Sequence, residues 1–211
     1  MSTENKQHTG VPIKGLVLAG GRSTRMGRDK TGIAWHGVEQ VYYAANLLKP
    51  FCSEVFISRR QALPSDLEGP YSVITDVYTG IGPYGAILSA FALDPDTAWL
   101  VLASDLPLID GNSLAYLVKN RNSSRLATTF RSPHDGLPEP LITIWEPRSR
   151  GILLEYLSQG ITCPRKALIK SNDAEILLPP DPEALMNVNT PEDLQKAEAL
   201  IARRRVSNHP S

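Results

Sequence analysis

Between Leu18 and Lys30 the chain reads LAGGRSTRMGRDK. An apolar run breaks into paired glycines and is followed by Arg22, Arg25, Arg28 and Lys30, the build of a loop that holds a polyphosphate. Gly20 and Gly21 carry no Cβ, so the backbone can turn sharply and aim its N–H groups at an anion. The cationic side chains supply compensating charge. Arg25 and Lys30 are the best placed to point inward, because each stands beside a residue that shapes the loop. The pattern is neither the G-x-x-x-x-G-K-[ST] of P-loops nor the G-x-G-x-x-G of dinucleotide folds.

Three further polar residues stand where such a site needs them: Asp76 after YSVIT, Asp105 after WLVLAS, and Asn187 in MNVNTPEDL. Asp105, ahead of Pro107 at the end of an apolar run, is a hard oxygen donor on a rigid element and suits Mg²⁺; its competing role is to cap the helix that follows. Asp76 opens a Val-Tyr-Thr-Gly loop, where an Asx turn is the alternative. Asn187 is either a metal-side ligand or a loop brace, a neutral amide being a weaker cation ligand than a carboxylate. Thr190, Pro191 and Asp193 read as a helix start, with Thr as N-cap, Pro at the first helical position and an acid in the first turn.

These residues act together only if the chain brings them to one place. Short apolar runs rich in β-branched residues alternate with segments of helical period. The strands are IKGLVLA (Ile13 to Ala19), EVFIS, YSVIT, WLVLAS (Trp99 to Ser104), LATTF, PLITIW and AEILL. Helices are predicted over Glu39 to Pro50, in GPYGAILSAFALDP, near Gly111 to Asn120, around Arg148 to Gln159 and from Pro191. WLVLAS is apolar on both sides and is placed in the middle of a parallel sheet. The fold class is therefore α/β, a Rossmann-like three-layer sandwich with a mostly parallel sheet and helices on both faces. In such sheets ligands bind beyond the carboxyl ends of the strands, the edge to which this topology brings the glycine loop, Asp76, Asp105 and Asn187.

Composition narrows the function. Lys plus Arg and Asp plus Glu each total 22 in 211 residues, so neither nucleic acid nor an anionic membrane is an expected partner. Cys52 and Cys163 suggest neither a disulfide framework nor a zinc site, consistent with a reducing cytoplasm. The four histidines show no metal-ligand spacing, and Trp35, Trp99 and Trp145 fit core packing. No signal-peptide core or spanning helix is present, so a soluble cytoplasmic protein is expected. One domain over 11–203 is expected, with 1–10 disordered and 204–211 a flexible tail. Arg165 and Lys166, in CPRKALI, read equally as a second phosphate contact or as a solvated helix start.

LAGGRSTRMGRDK closely resembles the signature of the molybdenum cofactor guanylyltransferases, MobA-like members of the nucleotidyltransferase superfamily with a nucleotide-diphospho-sugar transferase-like fold. SDLP (Ser104 to Pro107) is similar to that family's metal-binding motif, VITD with GIGPYGAI to its base and ribose segment, and MNVNTPEDL to its C-terminal signature. The motifs come in the family's order over nearly the whole chain. The resemblance implies GTP and molybdopterin as substrates, Mg²⁺ as cofactor, and transient contact with recipient molybdoenzymes. It further implies that Leu18, Ala19, Gly20, Gly21, Lys30, Asp76, Gly82 and Asp105 bind the nucleotide. Asp105 and Asn187 would face the metal, and Arg25, Lys30 and Asp105 would act in catalysis. Two segments depart from the pattern. Ser58 stands where the family usually has asparagine, and GLPEPLITIW is only loosely like the family's acceptor-side sequence. LAGG with GPYG favours the guanylyl branch over cytidylyl relatives, which tend to carry LAAG. The alternatives are a same-fold enzyme using CTP or another phosphorylated acceptor, and a noncatalytic nucleotide-binding protein that delivers cofactor.

Overall fold

The computed structural model describes residues 11–19, 39–61, 69–188 and 190–207. In chain order these form β1 (Ile13–Leu18), α1 (Gln40–Leu48), β2 (Val55–Arg59), β3 (Ser72–Thr75), α2 (Pro83–Leu93), β4 (Ala98–Ala103) and α3 (Gly111–Lys119). There follow β5 (Ala127–Arg131), β6 (Pro138–Trp145), α4 (Ser149–Ser158), α5 (Pro164–Ser171), β7 (Ala174–Leu177) and α6 (Pro191–Ser207). The strands join in one seven-stranded sheet, ordered β3-β2-β1-β4-β6-β5-β7.

Side chains alternate across each strand, and this alternation builds the layers. On β4, Ala98, Leu100 and Leu102 belong to a core shared with Val41, Ala44, Ala45 and Leu48 of α1 and Leu114 and Leu117 of α3. Trp99 and Val101 enter the opposite core, with Tyr84 to Phe91 of α2, Leu153 and Tyr156 of α4, and Ala167 and Leu168 of α5. The two cores lie on the two faces of the sheet, so the three-layer arrangement read from the sequence is the one found.

The placement of β4 needs one correction. It is the central strand and runs parallel to β1, but its other neighbour, β6, is antiparallel. A strand buried on both faces reads as an apolar run whichever way its neighbours point, so WLVLAS could not reveal this. Direction is set instead by a short connection: the turn over 132–137, closed by the Ser132 N–H to the Leu137 carbonyl at 2.8 Å, folds β6 back on β5. CPRKALI is a helix, α5, ended by Asn172 in the left-handed conformation with φ 48°. At α6, the Thr190 hydroxyl accepts from the Asp193 N–H at 3.1 Å and the Asp193 carboxylate accepts from the Thr190 N–H at 3.0 Å, so this pair is a structural capping box. Among the described residues no helix is long and apolar enough to cross a membrane. Both cysteines are free thiols.

Candidate active site

The carboxyl ends of β1, β2, β3 and β4 share one edge of the sheet. Leu18 pairs with Ser58 of β2 on one side and Ala103 of β4 on the other. Its carbonyl accepts from both the N–H and the hydroxyl of Ser104, at 3.3 and 3.0 Å, which fixes the end of β1 one residue from Asp105. The Ala19 N–H donates to the Ser58 carbonyl at 3.2 Å, and the Asp76 N–H to the Arg59 carbonyl at 2.9 Å. Here lies a pocket of about 70 Å³, lined by Leu18, Ser58, Arg60, Asp76, Tyr78, Thr79, Gly80, Gly82, Pro83 and Ala86. Gly20, Gly21, Arg25 and Lys30 lie outside the described residues.

Asp76 is half-buried in this pocket. Its Oδ1 accepts from the Ser58 hydroxyl at 2.7 Å, which places a donor at the pocket wall. Burial raises the Asp76 carboxyl above its usual value, opposed by the Ser58 hydrogen bond and the nearby Arg60 charge. The sign follows from linkage: a raised folded pKa contributes stability that is present below the unfolded value and lost as pH rises through the folded one. Ionised Asp76 therefore costs the free protein stability at neutral pH. Asp76→Asn is expected to raise Tm at pH 7, with the gain fading near pH 3. Melting curves at both pH values check this, and a lowered Tm at pH 7 would contradict it.

The loop after Asp76 is held by α2. The Ser89 hydroxyl accepts from the N–H groups of Val77 at 2.9 Å and Tyr78 at 3.3 Å and donates to the Gly85 carbonyl at 2.7 Å. The amides an Asx turn at Asp76 would use are thus taken by Ser89, and the Asp76 carboxylate is left to Ser58 and the pocket. Gly85 permits the close approach: a Cβ there would stand 2.0 Å from the Tyr78 carbonyl oxygen. Gly82, which opens α2 at φ 58° and ψ −138°, has backbone angles that side chains exclude. Ala is ordinarily worth up to about 1 kcal/mol over Gly inside a helix, and Gly151→Ala in α4, where a Cβ meets open space, is expected to gain that amount. Gly85→Ala is expected instead to lose about 1–3 kcal/mol and to weaken nucleotide binding, since the pocket loop must move. Denaturant melts and nucleotide titration of the two variants test the contrast; equal gains would refute it.

Asp105 lies at the head of the connection from β4 to α3. It is not the cap of that helix: Asp110 is, its Oδ1 accepting from the Ser113 N–H at 2.8 Å. The Asp105 Oδ1 atom is buried, and the Asp105 carbonyl accepts from the Val188 N–H at 3.2 Å, which brings the Asn187 segment alongside. Leu106 and Asn187 both line a second, larger cavity of about 460 Å³, whose other walls are β6 and the start of α5. Pro83 borders both cavities. Arg165 lines the larger one, donating to Asp135 Oδ2 at 2.8 Å and Glu139 Oε2 at 3.0 Å. Among the described residues no three His, Cys, Asp or Glu gather as a metal-binding group.

Leu18, Asp76 and Gly82 thus share one pocket, and Asp105 and Asn187 sit together beside it. A family model described as the MobA-like NTP transferase domain matches residues 15–175. The chain belongs to the MobA-like NTP transferase family. Among its relatives, a molybdenum cofactor biosynthesis bifunctional protein from a Synechocystis species is 31% identical over 187 residues, 87% of this chain but 53% of that protein. The chain therefore spans about half the length of that relative. A probable molybdenum cofactor guanylyltransferase from Chloroflexus aggregans is 29% identical over 204 residues, covering 90% of this chain and 95% of that one. The fold is also that of molybdopterin-guanine dinucleotide biosynthesis protein A from Archaeoglobus fulgidus, with a TM-score of 0.73 at 23% identity over 90% of this chain and 99% of that chain.

The sequence reading did not single out Ser89, Gly85 or Glu139. A glycine inside an apolar helical run is a general sign of close backbone approach, and GPYGAILSA carries one, together with the buried hydroxyl of Ser89. Glu139 carried no such sign, because it falls between two prolines just before the predicted strand PLITIW.

Proposed function

We propose that this protein is a molybdenum cofactor guanylyltransferase, transferring GMP from GTP to the terminal phosphate of molybdopterin to give the guanine dinucleotide cofactor and pyrophosphate. The observation that carries the reading is the convergence of Leu18, Asp76 and Gly82 on one pocket with Asp105 next to it, in a chain of this family. An oxygen of the acceptor phosphate bonds to the α-phosphorus of GTP, and the bond from the α-phosphorus to the α,β-bridging oxygen breaks. A phosphate monoester with a second pKa of about 6 is largely ionised at neutral pH, so the nucleophile needs no general base. The difficulty is bringing two polyanions together in line. In this reading Gly20 and Gly21 present backbone N–H groups to the phosphates, and Lys30 and Arg25 offset the charge gathering on pyrophosphate.

Asp105 and Asn187 would hold Mg²⁺. The donors fit: both are oxygen ligands, one is a carboxylate with a buried oxygen, and Mg²⁺ is commonly bound by one or two carboxylates together with substrate phosphates. When bound, the ion supplies positive charge that screens the phosphates from each other. The reading is tested by incubating the protein with Mg²⁺, molybdopterin and each of GTP, CTP, ATP and UTP in turn, following pyrophosphate and the mass of the product. Guanine dinucleotide from GTP is expected. A preference for CTP, or GTP binding with no pyrophosphate, would overturn it.

A further inference from the structure

We propose that the cavity of about 460 Å³ receives a flat heterocycle with paired N–H donors, and that Glu139, clamped by Arg165, is the group that reads this edge. The inference rests on the guanylyltransferase reading, in which the acceptor carries a pterin. The cavity is within the usual range for a small-molecule site and has the usual character, mostly apolar walls with a few fixed polar groups. Its walls include Leu141, Ile142 and Pro164, surfaces suited to the faces of a planar ring.

The polar end decides what kind of ring. The Arg165 guanidinium is engaged by two carboxylates, NH1 with Asp135 and NH2 with Glu139, so its charge is already matched and the trio carries a net negative charge. That end of the cavity repels a phosphate and favours hydrogen-bond donors. An ionised carboxylate only accepts, and an oxygen that takes one bond from Arg165 keeps a second lone pair. The planar fork of Arg165 spans the two carboxylates with one bond to each, NH1 to Asp135 and NH2 to Glu139, and so braces Glu139 from one side. A pterin offers a 2-amino group beside a ring N–H, two parallel donors that match the two oxygens of one carboxylate. Leu106 and Asn187 line the same cavity, and the segment of Asn187 is held against Asp105 through the Val188 N–H.

The test compares two probes on the whole protein: pterin itself, and lumazine, the same bicycle with a carbonyl in place of the 2-amino group. A site built to accept from that amine is expected to bind pterin about tenfold or more tighter than lumazine, since lumazine turns an acceptor toward Glu139. Glu139→Gln is expected to erase this preference while GTP affinity is retained. Arg165→Lys, which keeps the charge but not the fork, is expected to reduce it. Equal binding of the two probes by the unaltered protein, or a preference that survives Glu139→Gln, would overturn the proposal. Guanylyl transfer without probe discrimination removes this inference alone, whereas discrimination without guanylyl transfer removes the proposed activity alone.

Discussion

Asp105→Ala is expected to lower guanylyl transfer about a thousandfold, the scale of several kcal/mol of lost charge stabilisation in the transition state, while Tm changes by only a few degrees. Asp105 stands two residues beyond the central strand of the sheet, and its backbone carbonyl carries the contact to Val188. The Asp105 carboxylate does not cap α3, so removing it leaves that helix start intact. On the proposed reading, the substitution removes the anionic metal ligand beside the pocket of Leu18, Asp76 and Gly82. Single-turnover rates at saturating GTP, with melting curves alongside, separate the two effects. Transfer within tenfold of the unaltered protein would remove Asp105 from the metal site.

Arg121→Ala is expected to cost about 3–5 kcal/mol of folding stability, among the largest single effects in the molecule. Arg121 and Glu146 form a two-pronged pair, Nε to Oε1 and NH2 to Oε2 at 2.7 Å each, with side chains only 5% and 2% exposed. The remaining prong, NH1, donates to the Val11 carbonyl at 2.9 Å and so ties the entry to β1 across the sheet. Truncating the arginine strands a buried carboxylate, and the cost is chiefly that of the unpaired charge. For a chain of this size the loss corresponds to a fall in Tm on the order of 10 °C. Replacing both partners together, Arg121→Met with Glu146→Leu, is expected to recover much of it, because no charge is then left unmatched. Urea melts of the single and double variants decide the matter; a single-variant cost below about 1 kcal/mol would show the pair to be energetically idle.

These predictions differ in how far the sequence alone pointed to them. The place of Asp105 just beyond a buried strand was legible, because an apolar run, a carboxylate and a following proline stand in line. The edge that gathers Leu18, Asp76 and Asp105 followed from the alternation of strand and helix. The Arg121–Glu146 pair had no local mark: its partners lie 25 residues apart, and nothing in either segment's periodicity requires them to meet. The same holds for Ser89, whose hydroxyl reaches back 12 residues to the Val77 amide, and for the reversed direction of β6, which is set by a turn whose residues also suit other loops. Local pattern reveals elements and their ends. Partners chosen by packing between elements become visible only when the elements are placed.

The most direct measurement is a crystal structure of the protein with GTP and Mg²⁺ in place of acceptor. The triphosphate is expected to lie along the carboxyl edge of β1 and β4 with the metal on Asp105, and the nucleoside between Leu18, Asp76 and Gly82. Nucleotide bound on another face of the sheet, or seated at this edge with Asp105 turned away from its phosphates, would contradict the account.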